Sequence, residues 1–227
     1  MARATIDILI PTCSRPAALS VTLTSLIAQT HRDFRIVISD QSDVDVLSHG
    51  ELTAVLRVLR AHGHEVELLR HLPRRGLAEQ RQYLLDRATA PYALFLDDDV
   101  ILESDVVARM LYAMQQQCCG FVGSAVIGLS HVDDVRPHEQ HIEWWDRPVR
   151  PEIVTPASPA WNRHKLHNAA NLYHVQQRLG LTPEKQRLYR VAWVGGCVLY
   201  DVGKLRDAGG FSFWRLLPVE QDRKSVV

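Results

Sequence analysis

Along its first hundred residues the chain alternates short apolar runs with longer stretches in which apolar side chains recur every three or four positions. The first pattern predicts buried strands and the second predicts helices packed on them by one face. Ile6 to Ile10, closed by Pro11, is the first predicted strand. Arg15 to Gln29 follows as a helix, with Leu19, Leu23, Leu26 and Ile27 at helical spacing and Ser14 and Pro16 at its start. Phe34 to Asp40 is the second strand, Val46 to His62 a helix stopped by Gly63, and Val66 to Arg70 the third strand. Gly76 to Ala88 is helical, with Leu77, Leu84 and Leu85 on one stripe, and Tyr92 to Leu96 is the fourth strand, running into Asp97, Asp98 and Asp99.

Strand alternating with helix predicts an α/β fold with a mostly parallel central sheet flanked by helices. Right-handed crossovers put the ends of all four strands on one edge, which is where open α/β sheets bind ligands. Beyond residue 100 the pattern weakens. From about 130 to 188 the chain is rich in Pro, His and Trp and reads as a long, partly irregular insertion. Val191 to Tyr200 is a last predicted strand, and a short helix over Asp201 to Asp207 leads to Gly209-Gly210-Phe211. We therefore expect one domain over residues 1–221, with one half at 1–100 and a second at 101–221 that contains the 130–188 insertion.

Composition narrows the function classes. The 227 residues carry 26 Lys+Arg against 26 Asp+Glu, 46% hydrophobic and 23% charged residues, with pI near 7.2. Disorder and nucleic-acid binding are both disfavoured by this balance. Cys13, Cys118, Cys119 and Cys197 match no zinc or redox spacing and read as reduced thiols of a cytoplasmic protein. The N-terminus does not read as a signal peptide, and no run approaches the ~20 apolar residues of a membrane span. Membrane association is expected only as peripheral contact, at the inner face.

Three adjacent carboxylates at a strand end repel one another unless a positive group lies among them. A hard divalent cation, Mn²⁺ or Mg²⁺, resolves this with one or two carboxylates plus substrate phosphate oxygens. Solvated or helix-capping aspartates are the plain alternative, and the position at a strand's carboxyl end favours the metal. Asp40 has the same placement after the second strand, suited to a base or ribose contact or, equally, to a turn. Thr12 and Arg15 follow the first strand, where a helix cap and a surface charge are the plain readings, and Arg74, Arg75 and Arg81 add positive charge suited to a diphosphate, although as a cluster alone they read better as a solvated helix face. Neither a GxxxxGK[ST] loop nor a GxGxxG is present, which removes the two commonest nucleotide-binding motifs. The histidines of the insertion show no metal-ligand pattern and read as packing or surface residues. Trp144, Trp145 and Trp161 could stack on a ligand, with lid packing the better reading.

These pieces in this order resemble family 2 glycosyltransferases of the GT-A fold. The matching segments are IDILIPTCSRPAALSVTLTSLIAQT, FRIVISDQS, RRGLAEQRQYLLDRATAPYALFLDDDVIL and VGGCVLYDVGKLRDAGGF. The resemblance implies an inverting transfer of a sugar from a nucleotide-diphosphate donor to a saccharide, lipid-linked or protein acceptor. It implies nucleotide-sugar contacts by Pro11, Thr12, Arg15, Asp40, Arg75, Arg81, Asp97 and Asp98, and by Gly195 and Gly196 beside the donor sugar and acceptor. Asp99 and Asp97 are the implied metal ligands of a DXD motif. Ser39 stands where many members carry a first Asp.

The family places its catalytic base in a Glu-Asp pair after the GGF segment, where this chain reads Glu220-Gln221-Asp222. Asp222 is a weak substitute. The final residues Asp222-Arg223-Lys224-Ser225-Val226-Val227 correspond to a common short-read sequencing adapter translated in one frame. We expect residues 222–227 to be a non-native tail and the base to be missing from the sequence as written. A nucleotidyltransferase and a non-catalytic nucleotide-sugar binder are the competing functions.

Overall fold

The computed structural model describes residues 4–128, 132–145, 150, 152–166, 169–182 and 184–211. The chain forms β1 (Ile6–Thr12), α1 (Pro16–Ile27), β2 (Phe34–Asp40), α2 (Gly50–Ala61), β3 (Val66–Arg70), α3 (Leu77–Asp86), β4 (Tyr92–Leu96), α4 (Val106–Gln117) and β5 (Phe121–Gly123). Short helices α5 (Arg163–Leu166) and α6 (Ala169–Leu179) follow, then β6 (Cys197–Asp201) and α7 (Val202–Asp207). The described residues form two compact units, one from 4–122 with 196–211 and one within 123–195.

The first unit holds the sheet, in the order β3-β2-β1-β4-β6-β5. β1 pairs in parallel with both β2 and β4, β2 pairs in parallel with β3, and β6 runs antiparallel to β4. The expected mixed, mostly parallel sheet is thus present. Central strands bury both faces, so they read as continuous apolar runs: Ile6, Ile8, Leu9 and Ile10 are all fully buried. Each burial of such a side chain stabilises by roughly 1.5–3 kcal/mol. On one face Leu84, Leu85 and Val202 pack against Leu9, Val37 and Phe95, with Tyr200 and Phe211 closing the cluster edge-on.

Two predicted spans need correction. The strand expected over 191–200 is confined to Cys197–Asp201, because Gly196 has φ of +77°, a backbone turn that a paired strand does not adopt. The helix expected from Val46 starts at Gly50, preceded by a single 3₁₀ turn capped by Asp45. Between the acidic loop and the insertion, where no element was expected, α4 buries the stripe Val106, Val107, Met110, Leu111 and Met114.

The second unit is tied internally by ion pairs and stacking. Arg163 bonds Glu143 at 2.8 Å and also Glu152, and Arg190 reaches Glu152 at 3.0 Å. Arg187 lies over the Trp144 ring at 3.5 Å, and Arg190 over Trp145 at 4.9 Å. Trp161 tilts against His164. These tryptophans are at least partly used in packing. No described helix is long and apolar enough to cross a membrane.

Candidate functional site

The carboxyl ends of β1, β2 and β4 lie side by side, with Thr12 level with Asp40 across the β1–β2 ladder. A cleft of about 260 Å³ opens there, lined by Pro11, Thr12, Cys13, Arg15, Gln41, Arg74, Gly76, Leu77, Gln80 and the three aspartates. Its floor is pinned from below. Thr22 of α1 accepts the Val100 N–H at 3.0 Å, and Gln29 bonds Glu103 and the Val107 N–H, so α1 fixes the loop that follows the aspartates. Gln80 of α3 donates to the carbonyls of Thr12 at 3.1 Å and Ser39 at 2.7 Å, tying α3 to both strand ends.

The three aspartates differ sharply. Asp98 is buried; its Oδ2 accepts the Thr12 hydroxyl at 2.7 Å and its Oδ1 accepts Arg15 Nη1 at 2.9 Å. Asp99 is 47% exposed and takes Arg15 Nη2 on Oδ2 at 2.7 Å, while Asp97 is 37% exposed and takes Arg81 Nη2 on Oδ1 at 2.9 Å. The second oxygen of Asp97 and of Asp99 has no hydrogen-bond partner among the described residues. Burial pushes the Asp98 carboxyl above its usual value; the Thr12 bond and the Arg15 charge pull it down without cancelling that push, and Asp99 and Asp97 add to it. Arg15 is held above its usual value by its bond to Asp99 and the charge of Asp98.

Most of the expected site residues converge here. Pro11, Thr12, Arg15, Asp97, Asp98 and Asp99 line the cleft, and Arg81 stands behind Asp97 with its Nε buried and unpartnered. Gly196 contributes backbone, its carbonyl accepting the Asp97 N–H at 2.8 Å. Three expected residues are not among those that line the cleft. Asp40 is fully buried, with Oδ2 on Arg70 at 2.6 Å and Oδ1 accepting from the Ser42 N–H and hydroxyl, so its carboxylate is wholly engaged in holding the β2 end. Arg75 is exposed, and Arg74 lines the cleft in its place. Gly195 belongs to the second unit, where a Cβ would meet the Trp193 ring at 2.9 Å. Asp222 lies outside the described residues.

Sequence reasoning passed over Gln41 and Gln80. Their signal was position: each is a polar residue beside a strand end or at a helix start facing the same edge.

The donor set fits a hard divalent cation. Asp97 and Asp99 each offer a free, half-exposed carboxylate oxygen, whereas both oxygens of Asp98 are occupied. Among the described residues no three acidic, His or Cys side chains converge to form a complete metal cage. This suits an ion that takes few protein ligands and completes its shell with phosphate and water.

A family model, "Glycosyl transferase family 2", matches residues 7–176, which takes in the cleft, all three aspartates and most of the second unit. The chain belongs to glycosyl transferase family 2. Solved structures agree on the fold. A mannosyltransferase from Pyrobaculum calidifontis, in complex with GDP-Man and Mn²⁺, is 18% identical, with a TM-score of 0.55 over 93% of this chain and 48% of that one. S. aureus TarS 1-349 gives 14% identity and 0.56 over 89% of this chain and 48% of its own. The same protein in complex with UDP-GlcNAc gives 14% and 0.56, with 47% of that chain covered. This glycosyltransferase chain therefore spans about half the length of those relatives. No curated protein matches it significantly by sequence.

Proposed function

We propose that the cleft binds a nucleotide-diphosphate sugar with Mn²⁺ or Mg²⁺, and that the protein transfers the sugar, with inversion, to an acceptor hydroxyl. The observation that carries this reading is the convergence of Arg15, Arg74 and Arg81 with Asp97, Asp98 and Asp99 at one sheet edge in a family 2 glycosyltransferase. The complexes of relatives with GDP-Man and Mn²⁺ and with UDP-GlcNAc support it.

The chain's residues divide the work by charge. Thr12 and Arg15 hold Asp98 in place, so the backbone of the acidic loop is set before ligand arrives. Arg74 lines the cleft where a departing diphosphate would lie, and Arg81 holds Asp97 from behind. Asp97 and Asp99 would hold the cation, which when bound supplies Lewis-acid stabilisation of the diphosphate leaving group. The acceptor proton must pass to a base, and the described residues do not assign one.

Calorimetric titration of the protein with UDP and GDP, each with and without Mn²⁺, tests the reading. We expect micromolar, metal-dependent binding of at least one, lost in Asp99→Ala. Binding of neither, or affinity indifferent to both Mn²⁺ and Asp99→Ala, would overturn the donor site.

A further inference from the structure

Beside the acidic loop, a second set of side chains in the cleft has a buried order of its own. The Gln41 backbone is fixed: its N–H donates to the Thr12 carbonyl at 3.0 Å, and its carbonyl accepts the Cys13 thiol at 3.3 Å. Its side-chain Nε2 donates to Glu79 Oε2 at 3.3 Å. Glu79 in turn meets His71 Nε2 with both oxygens at 2.9 Å. The His71 ring stacks on Tyr83 with centroids 3.6 Å apart, and Arg87 covers the Tyr83 ring at 3.4 Å. The chain Tyr83–His71–Glu79–Gln41 is thus packed and hydrogen-bonded from the surface inward.

This order decides which way the Gln41 amide faces. A carboxylate accepts, so the amide nitrogen must point at Glu79 and the oxygen must point away from it. Gln41 is only 2% exposed, lines the cleft, and its Oε1 has no hydrogen-bond partner among the described residues. That oxygen is not sealed from solvent, so it is open to water or to a group entering the cleft.

The sheet order says what fills it. The acids stand at the end of β4, and Gln41 follows β2, with β1 between them. Two strand spacings are about 10 Å, the distance over which a ribose separates a diphosphate from its base. With phosphates over β1 and β4, the base lies over Gln41, beside the half-exposed Leu77.

We infer that Gln41 contacts the nucleobase of the donor through Oε1, accepting an N–H of the base edge, and that Glu79 and His71 are positioning residues that fix its amide. The assignment rests on the nucleotide-cleft reading above and adds the base-contacting group. It differs from a role for Asp40, whose oxygens are taken by Arg70 and Ser42.

The experiment compares two probes in the presence of Mn²⁺: whichever of UDP, GDP, CDP and ADP the unmodified protein binds most tightly, and inorganic pyrophosphate, which keeps the phosphates and lacks the base. Gln41→Met keeps the volume without the acceptor, and Gln41→Ala serves as a second variant; both are checked by thermal melting. Each is expected to weaken the nucleotide about tenfold and to leave pyrophosphate within about twofold. Glu79→Ala is expected to weaken the nucleotide about threefold, and the Gln41→Met, Glu79→Ala double variant to be no worse than Gln41→Met alone. Unchanged nucleotide affinity in the Gln41 variants, or an equal loss for pyrophosphate, overturns the base contact. Additive losses in the double variant overturn the positioning role. If the unmodified protein binds none of the four nucleotides, the cleft reading itself falls and this assignment with it.

Discussion

Two aspartates of the first unit, Asp7 and Asp98, sit near opposite ends of adjacent strands, both almost fully buried, and the protein treats them in opposite ways. Asp7 opens β1 at the edge away from the cleft. Its carboxylate accepts Arg35 at 2.9 and 3.0 Å, the Thr89 N–H at 2.6 Å and the Ala90 N–H at 2.9 Å. Desolvation pushes its pKa up, but these bonds and the Arg35 charge together outweigh burial and hold the group below its usual value. Asp98 has one hydroxyl and one half-exposed guanidinium, and burial wins. The contrast separates a carboxylate that builds the fold from one the fold leaves under-compensated. Such under-compensation of a buried acid is commoner at functional sites than in plain framework.

Breaking each acid sharpens the contrast. The largest effect is expected from Asp7→Ala, which strands Arg35 and frees two backbone N–H groups; loss of one partner of a buried pair costs about 3–5 kcal/mol. Urea unfolding measures it, and a loss under about 1 kcal/mol would erase the distinction drawn here. Next comes Asp98→Asn, expected to weaken the bound nucleotide with Mn²⁺ by more than about tenfold while its melting temperature stays level or rises. A large drop in melting temperature would make Asp98 a structural acid like Asp7.

The pH dependence of the two should have opposite signs. Asp7, with its pKa depressed, contributes stability that is present above its ordinary value of 3.8 and lost as pH falls through the lower folded value. Asp98, with its pKa raised, contributes stability that is present below 3.8 and lost as pH rises through the higher folded value. Unfolding free energies at a series of pH values should therefore show Asp98→Asn gaining on the unmodified protein as pH climbs above 3.8. No gain would mean that Asp98 is compensated after all. The smallest effect is that of Arg15→Ala on Mn²⁺ alone. Arg15 occupies Asp99, so its removal is expected to tighten nucleotide-free Mn²⁺ binding about threefold while weakening nucleotide binding. Calorimetry reads both.

Strands β1, β2 and β4 were legible in the sequence because they are buried on both faces and end at Pro11-Thr12, Asp40 and the aspartate triplet, whereas the short, half-buried β5 left no apolar run to read. The acidic loop and Arg15 were legible for the same reason, since topology alone carries strand ends to one edge. Pairing was not. That Arg70 would claim Asp40, or that His71 would hold Glu79 and so turn Gln41, depends on parallel register between β2 and β3 and on the rotation of α3. No local pattern encodes either. In the second unit short helices such as α5 and the packing of Arg187 on Trp144 come from contacts within that unit, which Pro-rich composition hides.

The strand order has one more consequence, for how the molecule can change over time. The chain leaves the sheet after β5 and re-enters at β6, which is the neighbouring strand. Residues 123–195 are thus spliced between two adjacent rungs, as a cassette is set into a loop, and the ladders β3-β2-β1-β4 that build the cleft close without them. Closing a longer or shorter excursion between two neighbours costs little, since the entropy of a loop grows only with the logarithm of its length. Such a cassette can change in length while the strand ends that line the cleft stay as they are, so one part of the chain can vary without asking the other to refold.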